Sequence, residues 1–173
     1  TCSLYLEKIL KKKFKIIKKE DPVYFLKSIK NKVELENMIN AHLIDGVALT
    51  KFIYWLKTKK KLDITEVDAQ NKLEYFRKQN PNYLFPSFDT IAGSGKNGAI
   101  VHYRATKNNT KLLKKDEIFL CDSGGQYKFG TTDVTRTICF RNQNKKIKDI
   151  FTNVLKGHIA VVQTNLNKKK LEN

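Results

Sequence analysis

The chain has 173 residues, of which 40% are hydrophobic, and its 34 Lys and Arg against 17 Asp and Glu give a formal net charge of +17. The hydrophobic fraction excludes a chain that is disordered throughout, and no apolar run approaches the roughly 18 residues of a membrane span, so we expect no membrane partner. The lysines form scattered clusters without the alternating aromatic residues of a base-stacking platform, so we interpret the charge as solvated surface and do not expect nucleic acid binding.

The first half of the chain is predicted to be mainly helical. Residues 1–21 are basic with interspersed apolar residues, and Pro22 interrupts this pattern. A long helix is predicted over 30–58, because apolar residues recur there at mostly three to five positions, as on one helix face, namely Val33, Met38, Leu43, Val47, Phe52, Trp55 and Leu56. A second helix is predicted from 65 to about 79, since Thr65 is a typical N-cap residue and Pro81 opposes continuation of the helix.

The middle of the chain is punctuated by proline and glycine. Strand-like segments are predicted at 88–91 and 99–103, between Pro86, Gly93, Gly95 and Gly98, and a polar loop follows at 106–110. Further on, the apolar run 117–121 and the run 131–140, rich in β-branched residues, lie on either side of a glycine-rich turn. This pattern predicts a hairpin.

Two aspartates flank the turn of this hairpin. Asp122 and Asp133 are eleven positions apart, and on one face of the hairpin their carboxylates would approach each other. Like charges opposite one another destabilise a sheet, whereas a divalent cation between them removes the repulsion. Carboxylates suit Mn²⁺, Mg²⁺ or Ca²⁺ and, together with imidazole, Zn²⁺ or Co²⁺. The alternative is that both aspartates are solvated turn residues or caps, which are common beside glycine-rich turns.

The cysteines and the last segment complete the prediction. Cys2, Cys121 and Cys139 include no C-x-x-C pair, and an odd number of cysteines without such a pair indicates free thiols in a reducing compartment. Cys121 and Cys139 fall in the strand-like runs, where buried thiols pack as small hydrophobic groups.

A helix is predicted over 145–165, with an apolar face that needs a partner surface.

The hairpin resembles a known family on specific residues. The tracts 122–127 (Asp-Ser-Gly-Gly-Gln-Tyr) and 130–137 (Gly-Thr-Thr-Asp-Val-Thr-Arg-Thr) are similar to the first metal-binding hairpin of aminopeptidase P, the Xaa-Pro aminopeptidases of the creatinase or pita-bread fold. The resemblance extends over residues 21–162, with further matching tracts in the same order at 41–49 (Ala-His-Leu-Ile-Asp-Gly-Val-Ala-Leu), 95–104 (Gly-Lys-Asn-Gly-Ala-Ile-Val-His-Tyr-Arg) and 151–160 (Phe-Thr-Asn-Val-Leu-Lys-Gly-His-Ile-Ala).

The resemblance implies an α+β fold, the first half of a pita-bread domain, with long helices packed on an antiparallel sheet that carries the metal-binding hairpin. It implies two divalent metal ions, with Mn²⁺ as the first expectation and Zn²⁺ or Co²⁺ as alternatives. By position, Asp122 would chelate one ion and Asp133 would bridge both. His102 matches the family's histidine that contacts substrate and assists proton transfer, so it would be both a catalytic and a substrate-binding residue.

Three of the five metal ligands that the family uses, one histidine and two glutamates, have no counterpart in this sequence. We therefore expect the chain to be a piece of a longer protein. In this interpretation residues 1–21 are the tail of a preceding domain and a linker, and 22–173 are the N-terminal half of the catalytic domain. The piece alone is expected to be inactive and to expose hydrophobic surface.

The function that the resemblance implies is removal of an N-terminal residue that precedes proline by a cytoplasmic enzyme, homodimeric at full length. Its partners would be peptides with proline at the second position. A methionine aminopeptidase-like enzyme is one alternative, although the hairpin tracts are closer to aminopeptidase P. A non-catalytic pita-bread protein that binds proteins or nucleic acid is another, and the charge of +17 favours it slightly.

Overall fold

A computed structural model describes residues 3–17 and 19–164 of the chain, and the described residues divide into two compact units between Asn37 and Met38. The first unit contains α1 (Leu4–Leu10) and α2 (Pro22–Ser28), neither of which the sequence pattern predicts. Both start at a side-chain cap: Ser3 and Asp21 each accept a hydrogen bond from a backbone amide of the following turn. Proline suits the first position of α2 because its fixed φ is already helical.

The long predicted helix is present as α3 (Lys32–Thr58). At its start, the Asn31 amide donates to the Glu34 carboxylate over 2.8 Å, and the Glu34 amide donates to the Asn31 side chain over 2.9 Å. This reciprocal pair satisfies amides that have no partner within the helix.

The face of α3 that is buried differs from the predicted apolar face. Phe52 and Leu56 are buried as expected, but Leu43 is 64% exposed and Val47 is 56% exposed. The prediction was wrong there because the helix turns its small residues and one acid inward; its buried residues are Ala41, Asp45, Ala48, Leu49, Phe52 and Leu56. An apolar pattern does not identify a buried aspartate, which needs a partner from elsewhere in the chain.

The second predicted helix is α4 (Glu66–Lys78), and its predicted cap is confirmed. The Thr65 side chain accepts a hydrogen bond from the Asp68 amide, while Asp68 accepts from the Thr65 amide and hydroxyl. These hydrogen bonds lower the pKa of Asp68 from its ordinary value. The helix packs Ala69 and Leu73 into the core.

Two three-stranded antiparallel sheets follow. The first has the order β2–β3–β6, formed by β2 (Ile91–Ser94), β3 (Ile118–Ser123) and β6 (Val134–Cys139). The second has the order β1–β4–β5, formed by β1 (Tyr83–Pro86), β4 (Gly125–Tyr127) and β5 (Gly130–Thr131). The predicted pairing of the two runs beside the glycine-rich turn is confirmed by β3 and β6, and the turn between them contains the two short strands of the second sheet.

The main core lies where the helices cover the first sheet. Its buried apolar residues come from α3, α4, the loops beside α4 and the first sheet: Leu49, Phe52, Leu56, Ile64, Ala69, Leu73, Ala92, Leu113, Phe119, Cys121 and Ile138. Cys121 is a buried free thiol, as predicted, whereas Cys139 is half-buried. Burial raises the pKa of the Cys121 thiol to about 12. Cys2 lies outside the described residues.

The predicted strand at 99–103 is wrong. After β2 the chain forms a 3-10 turn, Gly95–Ala99, and then a bend in which His102 has a φ of 55°. A side chain is excluded at Gly93, because a Cβ there would lie 2.6 Å from the Gly98 nitrogen. This close approach of two glycines folds the segment back on itself, so no extended strand can form.

The last predicted helix is α5 (Lys145–Gln163), capped by the Asn144 side chain; Asn165, at the predicted end, lies outside the described residues. Its apolar side chains include Phe151, 55% exposed, and Val154, 68% exposed. No helix in the described ranges is long and apolar enough to cross a membrane.

Candidate metal centre

Asp122 is positioned by the pairing of β3 with β6. The register runs from Ile118 opposite Cys139 to Ser123 opposite Val134, and it places Asp122 opposite Thr135. Directly opposite residues share a sheet face, and the Thr135 hydroxyl donates a hydrogen bond of 2.8 Å to Oδ1 of Asp122. The neighbours of Asp122 along the strand, Cys121 and Ser123, are buried, so the carboxylate lies on the outer face.

Asp133 lies immediately before β6 and is exposed. The residue before it, Thr132, is buried, and its hydroxyl accepts a hydrogen bond of 2.9 Å from the Gly125 amide. Because side chains alternate along an extended chain, Asp133 and Thr135 point away from this buried side. Asp122 and Asp133 therefore lie on the same outer face of the β3–β6 pair.

The turn between the two aspartates is closed tightly at Gly124. A Cβ at this position would overlap the carbonyl oxygen of Thr132 and the hydroxyl of Ser87. Those two groups are themselves joined by a hydrogen bond of 2.8 Å, and the Ser87 amide donates to the Gly124 carbonyl over 3.1 Å. Glycine is required here because the backbone of the opposing segment occupies the space of a side chain.

The donor chemistry of this face suits a hard divalent cation, since two carboxylates supply oxygen ligands of the kind that such ions prefer. Among residues 3–17 and 19–164, however, no three His, Cys, Asp or Glu side chains converge as a metal site. The residues present therefore fit a metal ion in part, through a carboxylate pair on one face.

His102 lies on a different segment, in the bend after the 3-10 turn. It is exposed, and its positive φ is a conformation that few non-glycine residues adopt, with histidine among the more tolerant. The 3-10 turn packs on β3, where a Cβ at Gly98 would lie 3.3 Å from Cβ of Leu120. Within the described residues, no hydrogen bond or ion pair joins His102 to Asp122 or Asp133.

A buried polar network behind Asp122 was not predicted. Arg77 of α4 donates to Asp45 of α3 through Nε over 2.7 Å and through Nη2 over 3.0 Å. Nη2 also donates to the Ser123 hydroxyl over 3.1 Å, and the Tyr127 hydroxyl donates to Oδ1 of Asp45 over 2.8 Å. The network ties both helices to the residue next to Asp122. The one sequence signal for it is an aspartate among apolar positions of a helix.

The electrostatics of the network follow from its burial. Burial by itself lowers the pKa of the Arg77 guanidinium, but the hydrogen bond and the negative charge of Asp45 outweigh burial, and the net pKa is raised. Burial and the same carboxylate raise the pKa of the Tyr127 hydroxyl. Arg77 therefore stays charged, and Tyr127 stays protonated as a hydrogen-bond donor, throughout the neutral range.

With this geometry established, comparison with known proteins identifies the family. Residues 36–169 match the sequence profile described as metallopeptidase family M24. The chain is 45% identical over 150 residues to a probable Xaa-Pro aminopeptidase P of Paracoccidioides brasiliensis (strain Pb18), a match covering 85% of this chain and 24% of that protein. It is 41% identical over 166 residues to the Xaa-Pro aminopeptidase ApepP of Drosophila melanogaster, covering 95% of this chain and 27% of that protein.

Solved structures give the same relationship. The chain resembles the X-prolyl aminopeptidase of Caenorhabditis elegans, described as a cytosolic enzyme with a di-nuclear active site, with a TM-score of 0.67, 36% identity and coverage of 73% of this chain and 21% of that one. It also resembles the X-Pro aminopeptidase of Thermotoga maritima MSB8, with a TM-score of 0.69, 25% identity and coverage of 89% and 42%. The predicted α+β, pita-bread fold is thereby confirmed.

The chain spans about a quarter of the length of the curated relatives that it matches. The predicted resemblance to the aminopeptidase P group is also confirmed, by relatives at 40 to 46% identity. From the match over residues 36–169 and from these relatives, the chain belongs to metallopeptidase family M24.

Proposed function

We propose that the protein acts as a metal-dependent aminopeptidase that removes an N-terminal residue preceding proline. The proposal rests on two outward-facing carboxylates of a family M24 chain: Asp122 on β3, and Asp133 immediately before the paired strand β6. The relatives named as Xaa-Pro aminopeptidases support proline at the second position of the substrate.

In this proposal Asp122 and Asp133 are the residues that would hold two divalent metal ions, Asp133 as the ligand that both ions would share. We propose Mn²⁺ as the metal, with Zn²⁺ or Co²⁺ as alternatives that the carboxylates would also accept. When bound, such ions act as Lewis acids and activate water for attack on a peptide carbonyl. The hydroxyl of Thr135 donates to Oδ1 of Asp122 and so helps to hold in place the carboxylate that would bind the ion.

His102 is proposed to donate a hydrogen bond to the substrate carbonyl or to the oxygen that becomes negative during attack. Its exposure leaves the imidazole accessible to a peptide. Proton transfer by a positioned histidine typically accelerates such a reaction about 10²- to 10⁴-fold.

The proposal also includes residues 22–173 as the N-terminal half of a catalytic domain, residues 1–21 as the tail of a preceding domain, a homodimeric assembly and a cytoplasmic location.

The test is hydrolysis by the full-length, Mn²⁺-loaded protein of an Arg-Pro peptide and, side by side, a Met-Ala peptide. We expect cleavage of the first alone. Asp133→Asn should abolish it, because the amide neither carries the negative charge nor bridges ions as a carboxylate does. Asp116→Asn, which changes another exposed aspartate in the same way, should leave cleavage intact.

Turnover retained in Asp133→Asn would remove the bridging role. Cleavage of Met-Ala in preference to Arg-Pro would instead indicate a methionine aminopeptidase-like enzyme. If neither peptide is cleaved, and the metal-free protein shifts a nucleic acid in a salt-dependent gel assay, the non-catalytic alternative replaces the proposal.

A further inference from the structure

Glu66, the first residue of α4, has a fully buried carboxylate that the metal centre does not use. Over the described residues, no lysine, arginine or histidine side chain forms an ion pair with it. An isolated buried charge is costly unless hydrogen bonds compensate for lost water. The partners of this carboxylate therefore indicate what holds it in place.

The carboxylate accepts hydrogen bonds at both oxygens from the segment 94–111. Oε1 accepts from the Ser94 amide over 2.7 Å and from the Asn97 side chain over 2.9 Å, while Oε2 accepts from the Tyr103 hydroxyl over 2.9 Å and from the Lys111 amide over 3.0 Å. The Asn97 side chain also approaches Oε2, at 3.2 Å. Charge-assisted hydrogen bonds are among the strong ones in proteins, and a carboxylate in the first turn of a helix gains from the helix dipole.

His102 lies inside the segment that these contacts enclose. Asn97 lies five residues before it and Tyr103 immediately after it, and both donate to the same carboxylate. Between them the backbone turns through hydrogen bonds from the Ile100 amide to the Asn97 carbonyl and from the Tyr103 amide to the Ile100 carbonyl, each 3.2 Å long. A non-glycine residue with positive φ, as at His102, persists when the surrounding contacts determine its backbone.

We propose that Glu66 is a positioning residue for His102, which anchors the backbone on both sides of the histidine to the start of α4. The inference rests on the proposed function for the role of His102 in the reaction, while the anchor itself is a property of the fold. Displacement of a reacting group by about 1 Å can cost about 10²-fold in rate, so a carboxylate remote from substrate can affect turnover through this segment.

The protonation of Tyr103 agrees with this arrangement. Burial raises the pKa of its hydroxyl to about 12, and the hydrogen bond to Glu66 adds to the increase. The hydroxyl is therefore protonated, and can donate to the carboxylate, at neutral pH.

The principal variant is Glu66→Gln in the full-length, Mn²⁺-loaded protein. The side-chain NH2 of glutamine would replace one of the two acceptor oxygens of Glu66. The donors that now face this oxygen would meet another donor, so their hydrogen bonds are lost. We expect hydrogen–deuterium exchange to increase over 97–105. We also expect kcat on an Arg-Pro peptide to fall about 10²-fold with little change in KM or in bound metal.

Two further variants keep the test decisive. Tyr103→Phe removes one hydroxyl and no charge, so it remains informative if Glu66→Gln does not fold, and it should show the same effects with a decrease in kcat of about tenfold. Glu74→Gln is the matched control: it makes the same change on the same helix, at a carboxylate that also accepts from a tyrosine, Tyr83, over 2.6 Å. It should leave exchange over 97–105 and kcat unchanged.

A double-mutant cycle with His102→Ala separates positioning from general damage. If Glu66 acts through His102, Glu66→Gln should cost little further activity once the imidazole is absent. Equal losses in both backgrounds would overturn the proposal, as would unchanged exchange over 97–105 in both Glu66→Gln and Tyr103→Phe. If the parent protein cleaves no Arg-Pro peptide, the proposed function fails, and the exchange measurement still decides whether Glu66 anchors the segment.

Discussion

Arg77 and Asp45 form a bidentate ion pair in which both side chains are completely buried, with 2.7 Å between Nε and Oδ1 and 3.0 Å between Nη2 and Oδ2. The pair joins α3 to α4, and through Ser123 it reaches the strand of Asp122. Among the described residues, Nη1 of Arg77 is the buried side-chain nitrogen or oxygen that has no hydrogen-bond partner. The remaining polar atoms of the pair are satisfied, so its integrity depends on both members.

Asp45→Ala should therefore be strongly destabilising, by about 3–5 kcal/mol in the free energy of unfolding, because it leaves the Arg77 charge buried without its partner. The measurement is the urea denaturation midpoint of the full-length protein. Asp89→Asn is the control, since the ion pair of Asp89 with Arg104 is largely exposed and such pairs contribute about 0–1 kcal/mol. Similar shifts in the two variants would show that the buried pair contributes no more to stability than an exposed pair does.

Gly124 should tolerate no side chain. Gly124→Ala places a methyl group where the Thr132 carbonyl and the Ser87 hydroxyl lie, so the turn between Asp122 and Asp133 must move. We expect a loss of stability of about 1–3 kcal/mol or more, together with weaker binding of Mn²⁺, measured by denaturation and by metal titration.

The control for this prediction is Gly46→Ala, which lies inside α3 with no atom within 4 Å of the added Cβ. It should stabilise the protein by about 0.5–1 kcal/mol, because alanine loses less conformational freedom in a helix than glycine does. A Gly124→Ala protein as stable as the parent would disprove the steric interpretation.

Thr135→Val should weaken metal binding while preserving the strand. Valine keeps the β-branched shape but removes the hydroxyl that donates to Asp122 over 2.8 Å. Loss of such a contact to a metal ligand typically costs about 10- to 100-fold in affinity, which competition with a chelator would measure for Mn²⁺. Thr137→Val, two residues along β6 and opposite Leu120, should leave the affinity unchanged; equal losses in both variants would argue against orientation by Thr135.

The buried thiol of Cys121 should make the free energy of unfolding decrease as the pH rises above 9. Its pKa is raised by burial from an ordinary value of 9.0 to about 12, so the neutral thiol contributes its full stabilisation below pH 9. Between pH 9 and 12 the unfolded chain loses this proton and the folded chain retains it, and stability falls by about 1.4 kcal/mol per pH unit for this group. Urea midpoints from pH 8 to 11 should decrease less steeply in Cys121→Ala, and parallel slopes would contradict the prediction.

The three longer helices, α3 to α5, and the hairpin could be predicted because their signals are local. Thr65, the predicted cap, begins α4, and periodic apolar residues predict α5. The apolar run before Asp122 and the β-branched run around Asp133 pair as β3 and β6. In each case the residues that determine the element lie within or beside it.

The prediction of a strand at 99–103 was wrong because the conformation of this segment depends on distant residues. Its apolar residues resemble a strand, but the contact of Gly93 with Gly98 and the hydrogen bonds to Glu66 bend it into a turn. Glu66 is 31 residues before Asn97 and 37 before Tyr103. The windows of about 11–18 residues in which a periodic pattern is recognised therefore cannot contain both the segment and Glu66.

By itself, the sequence determined the net charge, the three longer helices, the hairpin of β3 and β6 and the two acidic positions beside its glycine-rich turn. Only the tertiary structure decided which charged residues are buried and what they bind. Asp45 and Arg77 are 32 residues apart, and Glu66 and Lys111 are 45 apart. A buried charge is tolerated only where distant donors converge on it, and that convergence depends on how helices and strands pack.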